Sequence, residues 1–247
     1  MYNFFVTIDD KKDNRYFITG DDYNHIKNVL RMTVGEQFLV SCDGASDLCE
    51  LENIQNDTVV AKIINENYQN TNLPINIHLF QGLPKSDKLE LIIQKAVELG
   101  VATVTPVSMK RSIVKIDDKK KKSKRERWQA IAEAAAKQSK RTAVPQVCDI
   151  LLYKEFIDRA KELDLLLVPY ECAEGMAATK AALSQIKSGM NIGIIIGPEG
   201  GFEQKEIDMA CESGGKIISL GSRILRTETA AITTVAMCML YSEMELN

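Results

Sequence analysis

The sequence predicts an α/β protein in which a small β-barrel domain precedes a larger domain built on a mainly parallel sheet. Residues 1–70 contain short strand-like segments separated by turn-forming residues, which is typical of a small barrel. Residues 75–242 instead alternate apolar runs with helical patterns, which indicates a parallel sheet with helices on both faces. A polar stretch before Pro74 suggests a linker, so we predict domains at 1–72 and 73–247.

The predicted elements follow in order along the chain. In the first domain we expect one short helix over 22–31 and five strands, at 4–8, 15–20, 36–44, 47–55 and 58–68. In the second we expect strands at 75–83, 101–109, 163–170, 191–197 and 216–221. Helices are predicted between and after them, at 87–99, 124–139, 154–162, 177–187, 203–213 and 228–242. Asp87 and Glu90 have the spacing of a capping box at the start of the first of these helices.

The composition favours a cytoplasmic protein without metal. Of 247 residues, 45% are hydrophobic and 26% charged, which is an ordinary balance for a globular protein. There is no apolar run of membrane-spanning length and no signal-peptide pattern, so we expect no membrane association. The six cysteines are scattered and there are two histidines, which disfavours a zinc site. We expect the cysteines to be reduced.

Positive charge is concentrated in one segment. Residues 108–141 carry thirteen lysines and arginines against four acidic residues, a net +9 in a chain whose total is −3. Such a patch on an acidic body suits a polyanion such as RNA. A lysine run can equally be a solvated surface, so the patch alone does not decide between the two.

Two glycine-containing loops are the candidate ligand site. The first, IGPEGGF at 196–202, follows an all-apolar strand and precedes a helix. Its glycines let backbone atoms approach a ligand closely, although a purely structural turn explains them as well. The loop lacks the spacing of a P-loop or a dinucleotide fingerprint, and Glu199 suits a phosphate poorly.

The second loop, LGSRILRTETA at 220–230, leads into the C-terminal helix. Helix capping by Thr227 and dipole compensation by Glu228 account for those two residues. Capping and dipole compensation do not explain Arg226, because the N-terminus of a helix disfavours a cation. We therefore predict a ligand or substrate role for Arg226. Both loops follow parallel strands, at whose carboxyl ends ligands bind in open α/β sheets. Few fixed charges and an apolar wall suit adenosine and a sulfonium better than a triphosphate.

These two loops resemble the paired signature of the SPOUT superfamily of methyltransferases. The fuller pattern is similar to its 16S ribosomal RNA uracil-N3 methyltransferase family, through HIKNVLRMTVGE (25–36), QGLPKSDKLELIIQKAVELGV (81–101), PVSMKRS (106–112) and RWQAIAEAAAKQSKRTAVPQV (127–147). The resemblance spans nearly the whole chain. It implies a PUA-like barrel that binds RNA, a trefoil-knotted SPOUT domain, which is a rare exception to the absence of knots, and a homodimer.

The resemblance also implies a cofactor, a substrate and the residues that hold them. The cofactor is S-adenosylmethionine, and the substrate is a uridine of small-subunit 16S ribosomal RNA, uridine 1498 in the family. The implied cofactor residues are Tyr170, Glu171, Gly197, Glu199, Gly200, Gly201, Leu220, Gly221, Ile224, Leu225, Arg226, Glu228, Thr229 and Ala230. The positions that face RNA are Arg31, Lys85, Arg111, Gln138 and Arg141. Members often carry an arginine near the N-terminus where this chain has Asn3, so the RNA contact expected there is either missing or made by Lys11, Lys12 or Arg15.

Methylation of a uracil ring nitrogen sets the chemistry that the catalytic residues must provide. The N3 proton has to leave, and negative charge then spreads onto the ring carbonyl oxygens. We assign Arg226 to stabilising that charge, with Glu199 or Glu228 as the candidate base, although water alone can also take the proton.

Other interpretations remain open from the sequence. A SPOUT enzyme acting on a transfer RNA ribose or a guanine shares the C-terminal loops, but the match over 81–147 and the barrel argue against it. A non-catalytic RNA-binding assembly factor that keeps the fold differs in lacking cofactor binding. A Rossmann-type methyltransferase is disfavoured because the glycine loops lie near the C-terminus.

Overall fold

The computed structural model describes residues 1–114, 117–171 and 175–246. Lys115, counted in the charged segment, and Cys172 lie outside the described residues. The chain divides into two compact units. The first comprises Met1–Asn72 and Ala136–Val144, and the second comprises Leu73–Ala135 and Pro145–Asn247.

The first unit is a curled sheet of six strands around an apolar core. The strands are β1 (Asn3–Phe5), β2 (Lys11–Lys12), β3 (Arg15–Ile18), β4 (Gln37–Cys42), β5 (Ala45–Gln55) and β6 (Thr58–Gln69), in the spatial order β1-β4-β5-β6-β3-β2. Helix α1 (Gly20–Asn24) continues as a π-helical turn over His25–Val29 and supplies Ile26 to the core. The remaining core residues alternate along the strands, as Phe38 and Val40 do in β4, which is the period of a half-buried strand.

The segment 136–144, which the sequence assigned to the larger domain, groups with the first unit. The amide nitrogen Nδ2 of Asn3 donates to the carbonyl oxygen of Arg141 at 2.9 Å. Thr142 Oγ1 donates to Asn72 Oδ1 at 3.1 Å, and Lys137 Nζ contacts Asp22 Oδ1 at 2.6 Å. These partners are distant in sequence, so no local pattern could have indicated them.

The second unit is built on a parallel sheet. Its strands are β7 (Asn76–Gly82), β8 (Thr103–Ser108), β9 (Gln146–Val147), β10 (Leu151–Leu152), β11 (Leu165–Pro169), β12 (Asn191–Ile196) and β13 (Lys216–Ile218). The order is β10-β8-β7-β12-β11-β13, with β9 beside β8, and each of these pairs is parallel. The predicted parallel sheet is therefore confirmed, and the two strands that the sequence missed, β9 and β10, have only two residues each.

Helices cover both faces of this sheet. They are α2 (Lys88–Glu98), α4 (Tyr153–Ala160), α5 (Ala177–Leu183), α6 (Gln204–Glu212) and α7 (Thr227–Glu245). A further helix, α3 (Asp118–Gln138), belongs to this unit as far as Ala135. One face packs Phe80 and Ile195 against the apolar sides of α4 and α6. Gln81 follows Phe80 in β7 and so points to the opposite face, where it meets α7, which also contacts α2.

Candidate active site

A cavity of about 810 Å³ lies where β11, β12 and β13 end. Its wall comes from the segments that follow those three strands, together with one side chain from α2. The lining residues are Lys88, Pro169, Tyr170, Glu171, Gly175, Met176, Ile196, Gly197, Pro198, Glu199, Gly200, Gly201, Phe202, Ser219, Leu220, Gly221, Ser222, Arg223, Ile224, Leu225, Arg226, Thr227 and Ala230. The cavity thus lies at the carboxyl ends of parallel strands, where the sequence predicted a ligand site.

Most of the predicted cofactor residues line this cavity, and two do not. Arg226, Thr227 and Ala230 form the part of its wall that comes from the start of α7. Glu228 and Thr229 are absent from the wall, because successive residues of a helix point about 100° apart. Glu228 turns towards α2 and Thr229 is exposed to solvent, so a cofactor contact of these two residues stays a prediction.

Close packing explains Gly200 of the 196–202 loop, and backbone conformation explains Gly201. A Cβ atom on Gly200 would lie 3.0 Å from Cβ of Arg111 and 3.1 Å from its carbonyl oxygen. At Gly201 the backbone has a φ of +69°, which side chains with a Cβ rarely adopt. The loop therefore lies tightly against the segment that holds Arg111, and Arg111 Nη1 donates to the Gly200 carbonyl at 3.1 Å.

Thr227 connects the two glycine-containing loops. The sequence suggested that it caps α7, but the capping position is Arg226 and Thr227 is the first residue of the helix. Its hydroxyl donates to the carbonyl oxygen of Gly197 at 2.6 Å and accepts from Nε2 of Gln81 at 2.9 Å. The buried threonine thereby fixes the start of α7 to the loop after β12 and to β7.

The end of β7 packs against the loop after β12, which forms part of the cavity wall. The sequence did not indicate this contact. A Cβ atom on Gly82 would lie 2.7 Å from the backbone nitrogen of Pro198 and 2.7 Å from the sulfur of Met109. Only glycine fits there, since a backbone atom cannot move aside cheaply. The QG pair belongs to the motif at 81–101, but its packing role depends on strands that are distant in sequence.

Lys88 joins the two glutamates that the sequence proposed as candidate bases. Its Nζ lies 3.1 Å from Oε1 of Glu199 and 3.2 Å from Oε2 of Glu228. The three side chains come from α2, the 196–202 loop and α7, and their exposed fractions are 29%, 26% and 15%. Sequence reasoning missed Lys88, because a lysine one residue after a helix cap has no local signature of function.

The surroundings of Glu199 favour its ionised form. Burial raises the pKa of this carboxyl group, but backbone N–H donors, including that of Lys85 at 3.1 Å, and the Lys88 ammonium outweigh burial and lower the pKa below the ordinary value. The ion pairs with Glu199 and Glu228 in turn raise the pKa of Lys88. Glu199 is therefore a weak proton acceptor at neutral pH.

Arg226 is an exposed cation at the cavity edge. It lines the cavity, and its guanidinium makes no hydrogen bond or ion pair with any residue that the structure describes. The N-terminus of α7 adds a positive partial charge at the same place. An electron-rich group entering the cavity therefore meets two positive influences. Ile224, 86% exposed, lies in the same loop and supplies apolar surface.

The residues predicted to face RNA differ in their exposure to solvent. Lys85 and Arg111 in the second unit are exposed, as are Arg31 and Gln138 in the first unit. Arg141 is only 7% exposed, and burial lowers its pKa to about 10. The expectation that Arg141 faces RNA is corrected: the segment 136–144 packs into the first unit and carries this side chain inside.

Asn3 occupies the place where an N-terminal arginine was expected. The residue is 4% exposed, its Oδ1 accepts from Ser41 Oγ at 2.8 Å, and its Nδ2 donates to the Arg141 carbonyl. Asn3 is thus a buried connector within the first unit.

The described ranges hold neither a metal cluster nor a membrane-crossing helix. Residues 1–114, 117–171 and 175–246 contain no group of three or more potential metal ligands. Within the same part of the chain, no helix combines the length and the apolarity that a membrane crossing requires.

The unit has a parallel sheet and a glycine-walled cavity beyond its strand ends. The loops of the cavity lack the glycine spacing of phosphate-binding motifs. Together these features define an α/β protein that binds a nucleoside-like ligand. Residues 71–239 match the RNA methyltransferase domain family, and residues 18–64 match the RNA methyltransferase PUA domain family. The chain belongs to the RNA methyltransferase family.

Individual relatives agree with this assignment. The chain is 41% identical to the ribosomal RNA small subunit methyltransferase E of Bacillus subtilis, over 93% of this chain and 91% of that protein. It is 34% identical to the protein of the same name from Mesomycoplasma hyopneumoniae, over 97% and 99%. The crystal structure of a ribosomal RNA small subunit methyltransferase E from Neisseria gonorrhoeae, bound to S-adenosyl methionine, has a TM-score of 0.79 at 29% identity and covers 97% of each chain.

Proposed function

We propose that this protein transfers a methyl group from S-adenosylmethionine to N3 of one uridine in 16S ribosomal RNA of the small subunit, the family's uridine 1498. The observation that carries the proposal is the glycine-walled cavity with Arg226 at its edge. The proposal is also supported by relatives that are named small-subunit ribosomal RNA methyltransferases. The reaction takes place in the cytoplasm.

The residues present fit S-adenosylmethionine. A Cβ atom would meet Arg111 closely at Gly200, and Gly201 has a positive φ that disfavours a side chain. The apolar wall includes Leu220, Leu225 and Phe202. Such a wall suits a purine, and exposed backbone groups of the loop at 196–202 suit its polar edge. When bound, the cofactor supplies a methyl group activated on a sulfonium.

Arg226 stabilises the uracil anion. Loss of the N3 proton places negative charge on the two ring carbonyl oxygens, and a guanidinium without a protein partner can donate to them. Its position at the N-terminus of α7 fixes its backbone, so less ordering is required when the base arrives.

Exposed polar and cationic side chains serve the RNA backbone. Arg31, Lys85, Arg111 and Gln138 lie on the surface, and the N-terminal half of α3 is rich in lysine. Phosphate contacts of this kind orient the RNA without reading its sequence. The target base has to be unstacked for its N3 edge to reach the cavity.

Methyl transfer from radiolabelled S-adenosylmethionine into small ribosomal subunits that lack the modification tests the function. We expect label in N3-methyluridine at a single site after nucleoside analysis. Cofactor binding without label on subunits or naked ribosomal RNA would indicate another RNA target. Absence of both binding and label would favour an RNA-binding assembly factor.

The trefoil knot and the homodimer belong to the same proposal. Dimerisation is supported by exposed apolar residues of α7, Leu240 at 49% and Met244 at 70%. Light scattering at micromolar concentration is expected to give twice the mass of the chain, and a monomer would contradict the dimer.

A further inference from the structure

Lys88 occupies a position that requires an explanation beyond helix formation. Its Nζ lies between two carboxylates at nearly equal distances, 3.1 Å to Glu199 and 3.2 Å to Glu228, and it also lines the cavity. By comparison, Lys95 in the same helix pairs with its helical neighbour Glu98, an ordinary surface pair. The ammonium of Lys88 therefore joins three segments that are far apart in sequence.

Two carboxylates within reach of one ammonium repel each other when the ammonium is removed. Two neighbouring carboxyl groups do not readily carry negative charge at the same time, so without the ammonium one of them retains its proton at higher pH. With Lys88 present, its ammonium lies within 3.2 Å of both carboxylates and offsets this repulsion. The ammonium thus determines whether a glutamate near the cavity can hold a proton.

The charged groups on the elements packed here are few. Lys85 and Asp87 lie before α2, and its first turn carries Lys88 and also Glu90, which pairs with Arg127. Glu199 lies in the 196–202 loop, with Arg111 packed against that loop. Arg226 and Glu228 lie at the start of α7. Among them, only Lys88 makes side-chain ion pairs to both glutamates.

We propose that Lys88 is the positioning residue of this site: its ion pairs occupy the carboxylates of Glu199 and Glu228 and tie the 196–202 loop to the start of α7, so that neither glutamate takes the uracil proton. This inference rests on the proposed methyl transfer and deepens it. The N3–H bond of uracil breaks and its proton passes to water. The nitrogen lone pair then bonds to the methyl carbon, and the electrons of the carbon–sulfur bond return to sulfur. Neither glutamate acts as the base.

The test compares Lys88→Met with Lys88→Arg, and uses Lys95→Met as the control for loss of a lysine from α2. Carboxyl ¹³C resonances of protein labelled at glutamate are followed against pH without cofactor, and Glu199→Gln assigns the Glu199 signal. We expect Glu199 to titrate at higher pH in Lys88→Met than in the unmodified protein, whereas Lys88→Arg and Lys95→Met leave its titration unchanged. An unchanged titration in Lys88→Met would overturn the proposal.

A double variant keeps the test independent of damage to the fold. Adding Glu228→Gln to Lys88→Met removes the repulsion, so the Glu199 titration returns towards low pH if Lys88 acts through charge. If it does not return, the shift reflects local disorder and the proposal fails.

Single-turnover methyl transfer then links the carboxylates to the reaction. We expect Glu199→Gln to leave the acid side of the rate–pH profile unchanged, because neither glutamate takes the N3 proton. We also expect the rate to fall in Lys88→Met and to be restored in Lys88→Arg. An acid limb in the unmodified protein that disappears in Glu199→Gln would identify Glu199 as the base and contradict the inference. If the unmodified protein transfers no methyl group to any RNA, the proposed function fails while the carboxyl titration still tests Lys88.

Discussion

The hydroxyl of Thr227 donates a 2.6 Å hydrogen bond to the carbonyl oxygen of Gly197, so the first residue of α7 holds the loop that follows β12. The same hydroxyl accepts from Gln81 in β7. One buried side chain thereby links the two glycine-containing loops that line the cavity.

Replacing Thr227 with valine keeps the shape of this side chain and removes its hydrogen bonds. We expect a loss of ~1–3 kcal/mol of unfolding free energy, because Gly197 loses a donor and Gln81 loses an acceptor. S-adenosylmethionine affinity, measured by calorimetry, is expected to fall as the loops lose their spacing. Thr233→Val, at an exposed position of α7, is the matched control. Equal effects of the two substitutions would show that the connection is unimportant.

Replacing Gly82 with alanine tests the close approach of β7 to the cavity loop. The added carbon would lie 2.7 Å from the Pro198 nitrogen, so the loop has to shift, at a cost of roughly 1–3 kcal/mol, and cofactor binding should weaken. Gly189→Ala provides the contrast, since Gly189 has a φ of +83° and no atom close to the added carbon. It should lose about 1 kcal/mol of stability through backbone strain and keep full cofactor affinity. Normal binding by Gly82→Ala would contradict this view of the site.

Replacing Arg226 with alanine tests charge stabilisation. Turnover is expected to fall by ~10²–10³-fold, as for loss of a donor to a developing anion, while cofactor affinity changes little. Arg223→Ala serves for comparison, because Arg223 is an exposed cation of the same loop that also lines the cavity. If turnover survives in Arg226→Ala and only cofactor binding weakens, Arg226 binds the cofactor and has no role towards the uracil.

The N-terminal half of α3 should contribute to RNA affinity through charge. Lys119, Lys120 and Lys124 make no ion pair with any residue that the structure describes, and the Lys122 side chain is 81% exposed. Changing all four to glutamine should make the dependence of log affinity on log salt less steep, by about 0.7 for each phosphate that the protein no longer neutralises. The control changes Lys154, Lys180, Lys187 and Lys205, which are exposed on other parts of the second unit. Equal slopes of log affinity against log salt for the two variants would mean that the α3 lysines are solvated and do not contact RNA.

The lowered pKa of Glu199 predicts one component of acid sensitivity. A carboxyl group whose folded-state pKa lies below its unfolded value stabilises the fold at higher pH, and that contribution is lost as pH falls through the folded pKa. The loss therefore falls below pH 4.5, the ordinary value for glutamate, and is of order 1 kcal/mol for a pair that is partly exposed. Urea denaturation at pH 7 and pH 4 should show a smaller difference for Glu199→Gln. An equal difference would mean that the Lys88 pair adds no stability.

The sequence by itself determined the class of fold and the two loops that form the cavity. Strand and helix periods are local properties of the chain, and the runs at 191–197 and 216–221 could be recognised as strands with glycine exits. Parallel pairing then required their carboxyl ends to meet at one edge, which brought Gly197 and Arg226 together.

Only the tertiary structure decided which partners the polar side chains find. Lys88 meets Glu199 and Glu228 because the ends of α2 and α7 approach the same loop, and Arg141 is buried because its segment packs into the first unit. The ion pairs of Lys88 and the burial of Arg141 depend on residues more than a hundred positions away in the sequence. Such contacts leave no period in the sequence, since any exposed lysine has the same local pattern as Lys88.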